Sequence, residues 1–217
     1  MAAVVVFDCF DTLVTSAPLP GPDVWTATLV RTLDLDPSEA GAVVRSVFGT
    51  LYAAMSDRSA PQPATMDLLD AALREHGVPR EAAAQERALW RALGCEDPGQ
   101  YRLCEPVAEA LRRVADAGHT VRLLSNCYLP SPLMRRLLER LRAPEVWDRG
   151  VFTADGGPKK PDPRVFHDIG DGAFARRVMV GDSPELDLAP AAALGWDTVR
   201  VDPAAPDPRP LYALLRC

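Results

Sequence analysis

Residues 4–14 read VVVFDCFDTLV. Three valines and a phenylalanine form a short, uninterrupted apolar run, the pattern of a strand covered on both faces rather than of one with a wet side. The run stops at Asp8. A second acid, Asp11, follows three residues later, with Phe10 between them. Similar runs recur as TVRLLS (120–125), GVFTA (150–154), RVMVGD (177–182) and DTVRV (197–201). Helical patterns lie between several of them. Residues 106–118 place Val107, Ala110, Leu111 and Val114 on one face, with Gly118 where a C-terminal cap belongs. Residues 131–143 repeat Leu133, Leu137, Leu138 and Leu141 behind Ser131-Pro132, read as an N-cap followed by a proline at the first helical position. Residues 185–196 form a third helix that stops at a glycine.

Strand alternating with helix predicts an α/β fold: a Rossmann-like parallel sheet with helices on both faces. Residues 16–99 break the alternation. They contain no convincing strand, and helical segments at about 24–33, 38–55, 65–76 and 80–93 are separated by APLPGP, DRSAPQPA and GVP. The predicted organisation is therefore a core domain of residues 1–15 and 100–217, with an all-helical domain, 16–99, inserted after the first strand.

Hydrophobic residues make up 47% of the 217 and charged residues 25%, the balance of a soluble globular chain. The net charge of −6 argues against nucleic acid and anionic membranes as partners. No apolar run approaches the roughly 20 residues of a membrane span, and no basic stretch precedes VVVF as it would in a signal peptide. The five cysteines are odd in number and show no CxxC spacing, which points to reduced thiols and a cytoplasmic protein; zinc is disfavoured by three scattered histidines.

In an open parallel sheet, ligands bind beyond the carboxyl ends of the strands. Asp8, Ser125-Asn126, Lys159-Lys160 and Gly181-Asp182, with Asp187 five residues on, all fall there. That set suits phosphoryl chemistry. A carboxylate can attack phosphorus, carboxylates and carbonyls can hold Mg²⁺, and a lysine and a hydroxyl can neutralise and orient phosphate oxygens.

Four stretches in this order resemble the motifs of the haloacid dehalogenase superfamily, a large group of mostly phosphatases: VVVFDCFDTLV, VRLLSN, GPKKPDPRVF and RVMVGDSPELD. The resemblance covers 1–15 and about 101–203. It implies Asp8 as the nucleophile, Ser125 and Lys160 as catalytic groups, and Asp182 and Asp187 as metal residues. Asp8 and the Phe10 carbonyl would complete the Mg²⁺ site. It also implies that residues 16–99 are a type-one helical cap over the active site. Thr12 would support the site through its hydroxyl, and Asn126 and Phe10 would face the small phosphorylated substrate.

The pattern departs from the family at Phe10, where phosphatases of the superfamily carry a second Asp as general acid and base. Losing such a group commonly costs about 10²–10⁴ in rate. Asp11 is the available substitute acid, although an Asp at a tight turn equally serves the backbone. L-2-haloacid dehalogenases resemble this motif, with an aromatic residue after the nucleophile, but lack the acidic pair of GDSPELD. They also carry a tyrosine at the place of Phe166. Phosphonoacetaldehyde hydrolase uses a cap lysine, and both lysines of this chain lie outside 16–99. The expected function is a Mg²⁺-dependent phosphatase working through an aspartyl phosphate on Asp8. A dehalogenase-like hydrolase and a degenerate, non-catalytic binding protein are the alternatives. Arg31, Arg45 and Arg58 are the cap cations that could meet an acidic substrate.

Overall fold

The structure, a computed structural model, describes residues 2–217. Five strands form one parallel sheet: β1 (Ala3–Phe7), β4 (Thr120–Ser125), β5 (Trp147–Phe152), β6 (Arg176–Gly181) and β7 (Asp197–Arg200), in the order β5-β4-β1-β6-β7. The alternation of strand and helix in the sequence thus produces the expected doubly covered α/β sheet. β1 lies at its centre. Ala3, Val5 and Phe7 point into one apolar cluster with Val107, Leu111, Leu133 and Leu137 of helices α5 (Glu105–Asp116) and α6 (Ser131–Arg140). Val4 and Val6 point into the other, with Val165, Phe166 and Ile169 of α7 (Pro163–Ile169) and Ala191 of α8 (Ala189–Ala193). This is the period-two alternation of a strand, applied with both faces dry.

Register aligns the strand ends. Phe7 pairs with Leu123 on β4 and Val180 on β6, so the residues that follow all three strands emerge at one edge. The Asp8 amide still donates to the Val180 carbonyl, 2.9 Å away.

Helices α1 (Pro22–Leu33), α2 (Pro37–Ser56), α3 (Thr65–Glu75) and α4 (Ala82–Ala92) occupy the stretch between two short strands, β2 (Val14–Ser16) and β3 (Tyr101–Leu103). They pack on one another. At the start of α2, Asp36 accepts from the Ser38 amide at 2.8 Å while Glu39 accepts from the Asp36 amide at 3.1 Å, a reciprocal cap.

Three local features differ from the sequence reading. β2 and β3, which it omits, pair antiparallel as a two-stranded ribbon where the chain leaves and re-enters the core; three residues are too few for periodicity to register. The third run forms a strand at Trp147–Phe152 rather than 150–154, because Thr153–Asp155 turn into a single 3₁₀ turn. Ser131 is not an N-cap but the first helical residue, and its amide donates instead to Asp155 Oδ1 at 2.8 Å, a cap supplied from a distant segment. Gly118 does close α5, at φ 81°, with His119 and Gly118 amides donating back to Val114 and Ala115.

Gly170 follows α7 where the Trp196 ring crosses, and a Cβ there would overlap that ring and crowd the Phe166 carbonyl. Gly170→Ala should therefore destabilise the fold by about 1–3 kcal/mol. Urea denaturation should show a lower midpoint with an unchanged m-value.

Candidate active site

The edge formed by the ends of β1, β4 and β6 gathers the polar residues that the sequence singles out. Asp8 follows β1 directly and is 4% exposed. The turn after it is tied by the Leu13 and Val14 amides, both donating to the Cys9 carbonyl at 2.8 Å, and by the Asp11 amide donating to Val14 at 2.8 Å. Asp11 takes the left-handed conformation this turn needs, φ 60°, and its side chain is exposed. No hydrogen bond from the described residues ends on the Phe10 carbonyl, although its neighbours at 9 and 14 are engaged.

Lys160 enters from the loop after β5. Its Nζ donates to Asp8 Oδ1 and to Asp187 Oδ1, 2.6 Å in each case, and all three side chains are buried. Burial penalises the Lys160 ammonium, but the two carboxylates more than offset that and hold its pKa above the ordinary value. Burial, joined by the Asp187 charge, raises Asp8 against the opposing pull of Lys160. Asp182 is raised as well, first by burial and then by Asp187.

Asn126 sits behind Lys160. Its Nδ2 donates to the Lys160 carbonyl at 2.8 Å, and its Oδ1 accepts from the Lys160 amide at 2.9 Å. Both ends of this amide are thus spent on backbone, which makes Asn126 a clamp for Lys160 even though it also borders a cavity. Ser125 Oγ, fully buried at the end of β4, has no hydrogen-bond partner. An orphaned buried hydroxyl is costly unless a ligand completes it.

Asp187 reaches the site through an irregular helix. The predicted single helix over 185–196 is instead a π-helical turn, Pro184–Leu188, running into α8, with the Leu188 amide donating to the Ser183 carbonyl at 3.2 Å. The wider turn rotates Asp187 inward. Gly181 leaves the room, since a Cβ there would overlap the Asp187 carboxylate.

Carboxylate oxygens of Asp8, Asp182 and Asp187 lie within 4.8 Å of one another. Three acids facing one ammonium leave an excess of negative charge in a mostly dry site, and hard oxygen donors suit Mg²⁺. Asp8, the free Phe10 carbonyl and Asp182 could hold the ion. Asp187 has both oxygens engaged, Oδ1 by Lys160 and Oδ2 by the Ser183 amide at 3.1 Å, so it fits better as the group that orients Lys160. Thr12 Oγ1 donates to Asp182 Oδ1 at 3.5 Å.

The two adjacent lysines diverge. Lys159, also buried, donates to the carbonyls of Asp57, at 2.9 Å, and Ala60. Beside it, Gln62 and Gly157 exchange backbone hydrogen bonds of 2.8 and 2.9 Å. This clasp between residues 57–62 and the segment before Lys160 was not legible in the sequence, where KK carries no hint of opposite directions.

A parallel α/β sheet thus carries a buried aspartate at the end of its central strand and an acid–lysine cluster at its carboxyl edge. A model of haloacid dehalogenase-like hydrolases matches residues 2–195, and the chain belongs to that family. Among solved structures, a 2-haloacid dehalogenase of Pseudomonas syringae is 20% identical, with TM-score 0.59 over 95% of this chain and 89% of that one. A HAD phosphatase of Thermococcus onnurineus is 18% identical, with TM-score 0.55 over 93% and 86%. The Bacillus subtilis protein YfnB, solved bound to magnesium, is 18% identical, with TM-score 0.55 over 100% and 99%. At these identities the likeness is one of fold. Among curated proteins none matches the chain.

Cys9 and Cys127 flank the site but are buried, and burial raises both thiols, Cys127 to about 12. Cys217 is the half-buried exception among the five cysteines. One thiol should react rapidly with a disulfide reagent under native conditions and the other four only on unfolding. Rapid labelling of Cys127 would show a far more open site.

Proposed function

We propose that the protein is a Mg²⁺-dependent phosphatase acting on a small phosphorylated substrate, with Asp8 as the nucleophile. The observation that carries this reading is the Asp8–Asp182–Asp187 cluster around the Lys160 ammonium, next to the unpartnered hydroxyl of Ser125. Bound Mg²⁺ would neutralise phosphate charge and let two anions approach each other. The chain's own residues do the rest. Ser125 Oγ and Lys160 Nζ bind phosphate oxygens, Asn126 and Asp187 hold Lys160 in place, and Thr12 steadies Asp182. Asp8 attacks phosphorus, the leaving oxygen departs with its electron pair, and water then releases phosphate from the aspartyl phosphate. Helices α1–α4 act as the cap, and the Lys159 clasp keeps residues 57–62 against the segment that carries Lys160.

The dehalogenase alternative draws less support. Its chemistry needs no cation, whereas the acid cluster here calls for one. Phe166, at the place of that family's tyrosine, is fully buried against Trp196 on the α7 side of the sheet.

Asp8→Asn should abolish phosphate release while leaving the circular dichroism spectrum unchanged, since only the ionised carboxylate is a nucleophile. Excess chelator should stop turnover, and added Mg²⁺ should restore it. Full activity in chelator, with halide release from 2-haloacids, would instead identify a dehalogenase.

Phe10 is half-buried, with its ring centroid 6.0 Å from that of Tyr101, and it cannot donate a proton. Phe10→Asp should raise turnover of alkyl phosphates by about 10²-fold or more, the usual worth of a general acid. It should change that of p-nitrophenyl phosphate little. Loss of alkyl-phosphate turnover in Asp11→Asn, with no gain in Phe10→Asp, would assign the acid to Asp11.

A further inference from the structure

Two cavities open between the helices and the sheet edge. The inner one, about 200 Å³, is lined in part by Phe10, Asp11, Asn126 and Cys127, which lie within three residues after Asp8 and Ser125. The outer one, about 270 Å³, is bordered by Trp25, Phe48, Leu51, Tyr52 and Met55. Leu19, Leu93 and Tyr128 line both, so the two lie side by side. No Lys, Arg, Asp or Glu borders the outer cavity, and Asp11 is the one charged residue of the inner. Arg31, Arg45 and Arg58 border neither; Arg58 pairs with Glu185 at 2.6 Å on the surface. The rim is apolar too. Leu19, Tyr52 and Met55 are 45%, 72% and 55% exposed, three of the four large hydrophobic side chains exposed among the described residues.

We infer that this pair of cavities receives the leaving group of the substrate, and that the substrate is an aryl phosphate: a phosphate monoester of an uncharged, extended aromatic alcohol. The inference rests on the phosphatase reading of Asp8 and adds the substrate class to it. Two independent features converge. A sugar or other polyhydroxylated group would lose its hydration in an outer cavity whose side chains offer only the Trp25 indole and the Tyr52 and Tyr128 hydroxyls in return, whereas a flat aromatic group would meet Trp25, Phe48 and Tyr52. An aryloxide also leaves without prior protonation, which suits a site whose acid position is Phe10. In the balanced reaction, the Asp8 carboxylate forms an O–P bond as the P–O bond to the aryl oxygen breaks, and the aryloxide takes the electron pair. Water then cleaves the aspartyl phosphate. One of its protons ends on the phenol, the other stays on phosphate, and Asp8 is regenerated.

The test is phosphate release by the full chain with Mg²⁺ from 1-naphthyl, phenyl, acetyl and glucose 6-phosphates. Naphthol and phenol are similar leaving groups, so their difference reads burial of the second ring. That burial should raise kcat/KM about tenfold for naphthyl over phenyl phosphate, with glucose 6-phosphate at least 100-fold below naphthyl. Leu19→Glu and Met55→Glu change exposed positions and should keep the fold, checked by circular dichroism. Each should lower the naphthyl-to-acetyl ratio of kcat/KM at least tenfold. Equal naphthyl and phenyl values, or preference for the sugar phosphate, would overturn the substrate class while leaving the phosphatase standing. An unchanged ratio in both variants, with a dimer lost on size exclusion, would overturn it in favour of a self-association surface. No release from any of the four, acetyl phosphate included, would overturn the phosphatase reading itself.

Discussion

The Lys160 ammonium is held between Asp8 and Asp187 at 2.6 Å from each, out of reach of bulk water. A buried charge of this kind is costly unless its partners are close and all its neighbours are satisfied. Much of the surrounding geometry meets that condition. Asn126 clamps the Lys160 backbone on both sides, the π-helical turn swings Asp187 into range, and Gly181 leaves space for the carboxylate to arrive. The same demand leaves two negative charges uncompensated across the three acids, and that surplus is what a divalent cation would balance.

The parallel sheet makes the arrangement possible because it aligns strand ends that are far apart in sequence. Asp8 and Lys160 are separated by 152 positions, yet register among β5, β4 and β1 brings the ends of their strands to one edge. Rigidity follows from the two dry faces of β1. Its alternating side chains lock into separate apolar clusters, so the backbone leading to Asp8 has no wet side on which to relax.

The helical block contributes through a different physics. It brings no charged group into the outer cavity. It brings aromatic and aliphatic surface, and it is tied to the loop that carries Lys160 by the backbone exchange at Gln62 and Gly157 and by Lys159. These contacts lie within three residues of Lys160. The clasp thus joins residues 57–62 to the segment that leads into Lys160.

The five parallel strands, the helical block and the identities of Asp8, Ser125, Lys160, Asp182 and Asp187 were legible in the sequence by itself. Buried strands announce themselves as apolar runs, helices as a period near 3.6, and residues at strand ends inherit their position from the sheet. Tertiary structure alone decided which of those residues touch one another. Asn126 reads as a substrate group in sequence and is spent on the Lys160 backbone in space; Asp187 reads as a holder of a metal water or an orienter of Lys160, and its two oxygens meet Lys160 and the Ser183 amide. Lys159 and Lys160 are neighbours whose side chains part to opposite tasks. The π-helical turn leaves no periodicity to detect, and an apolar cavity is assembled from residues 10 to 129, so no local window contains it. Local pattern records burial and backbone preference; which donor meets which acceptor depends on distances that only the packed chain sets.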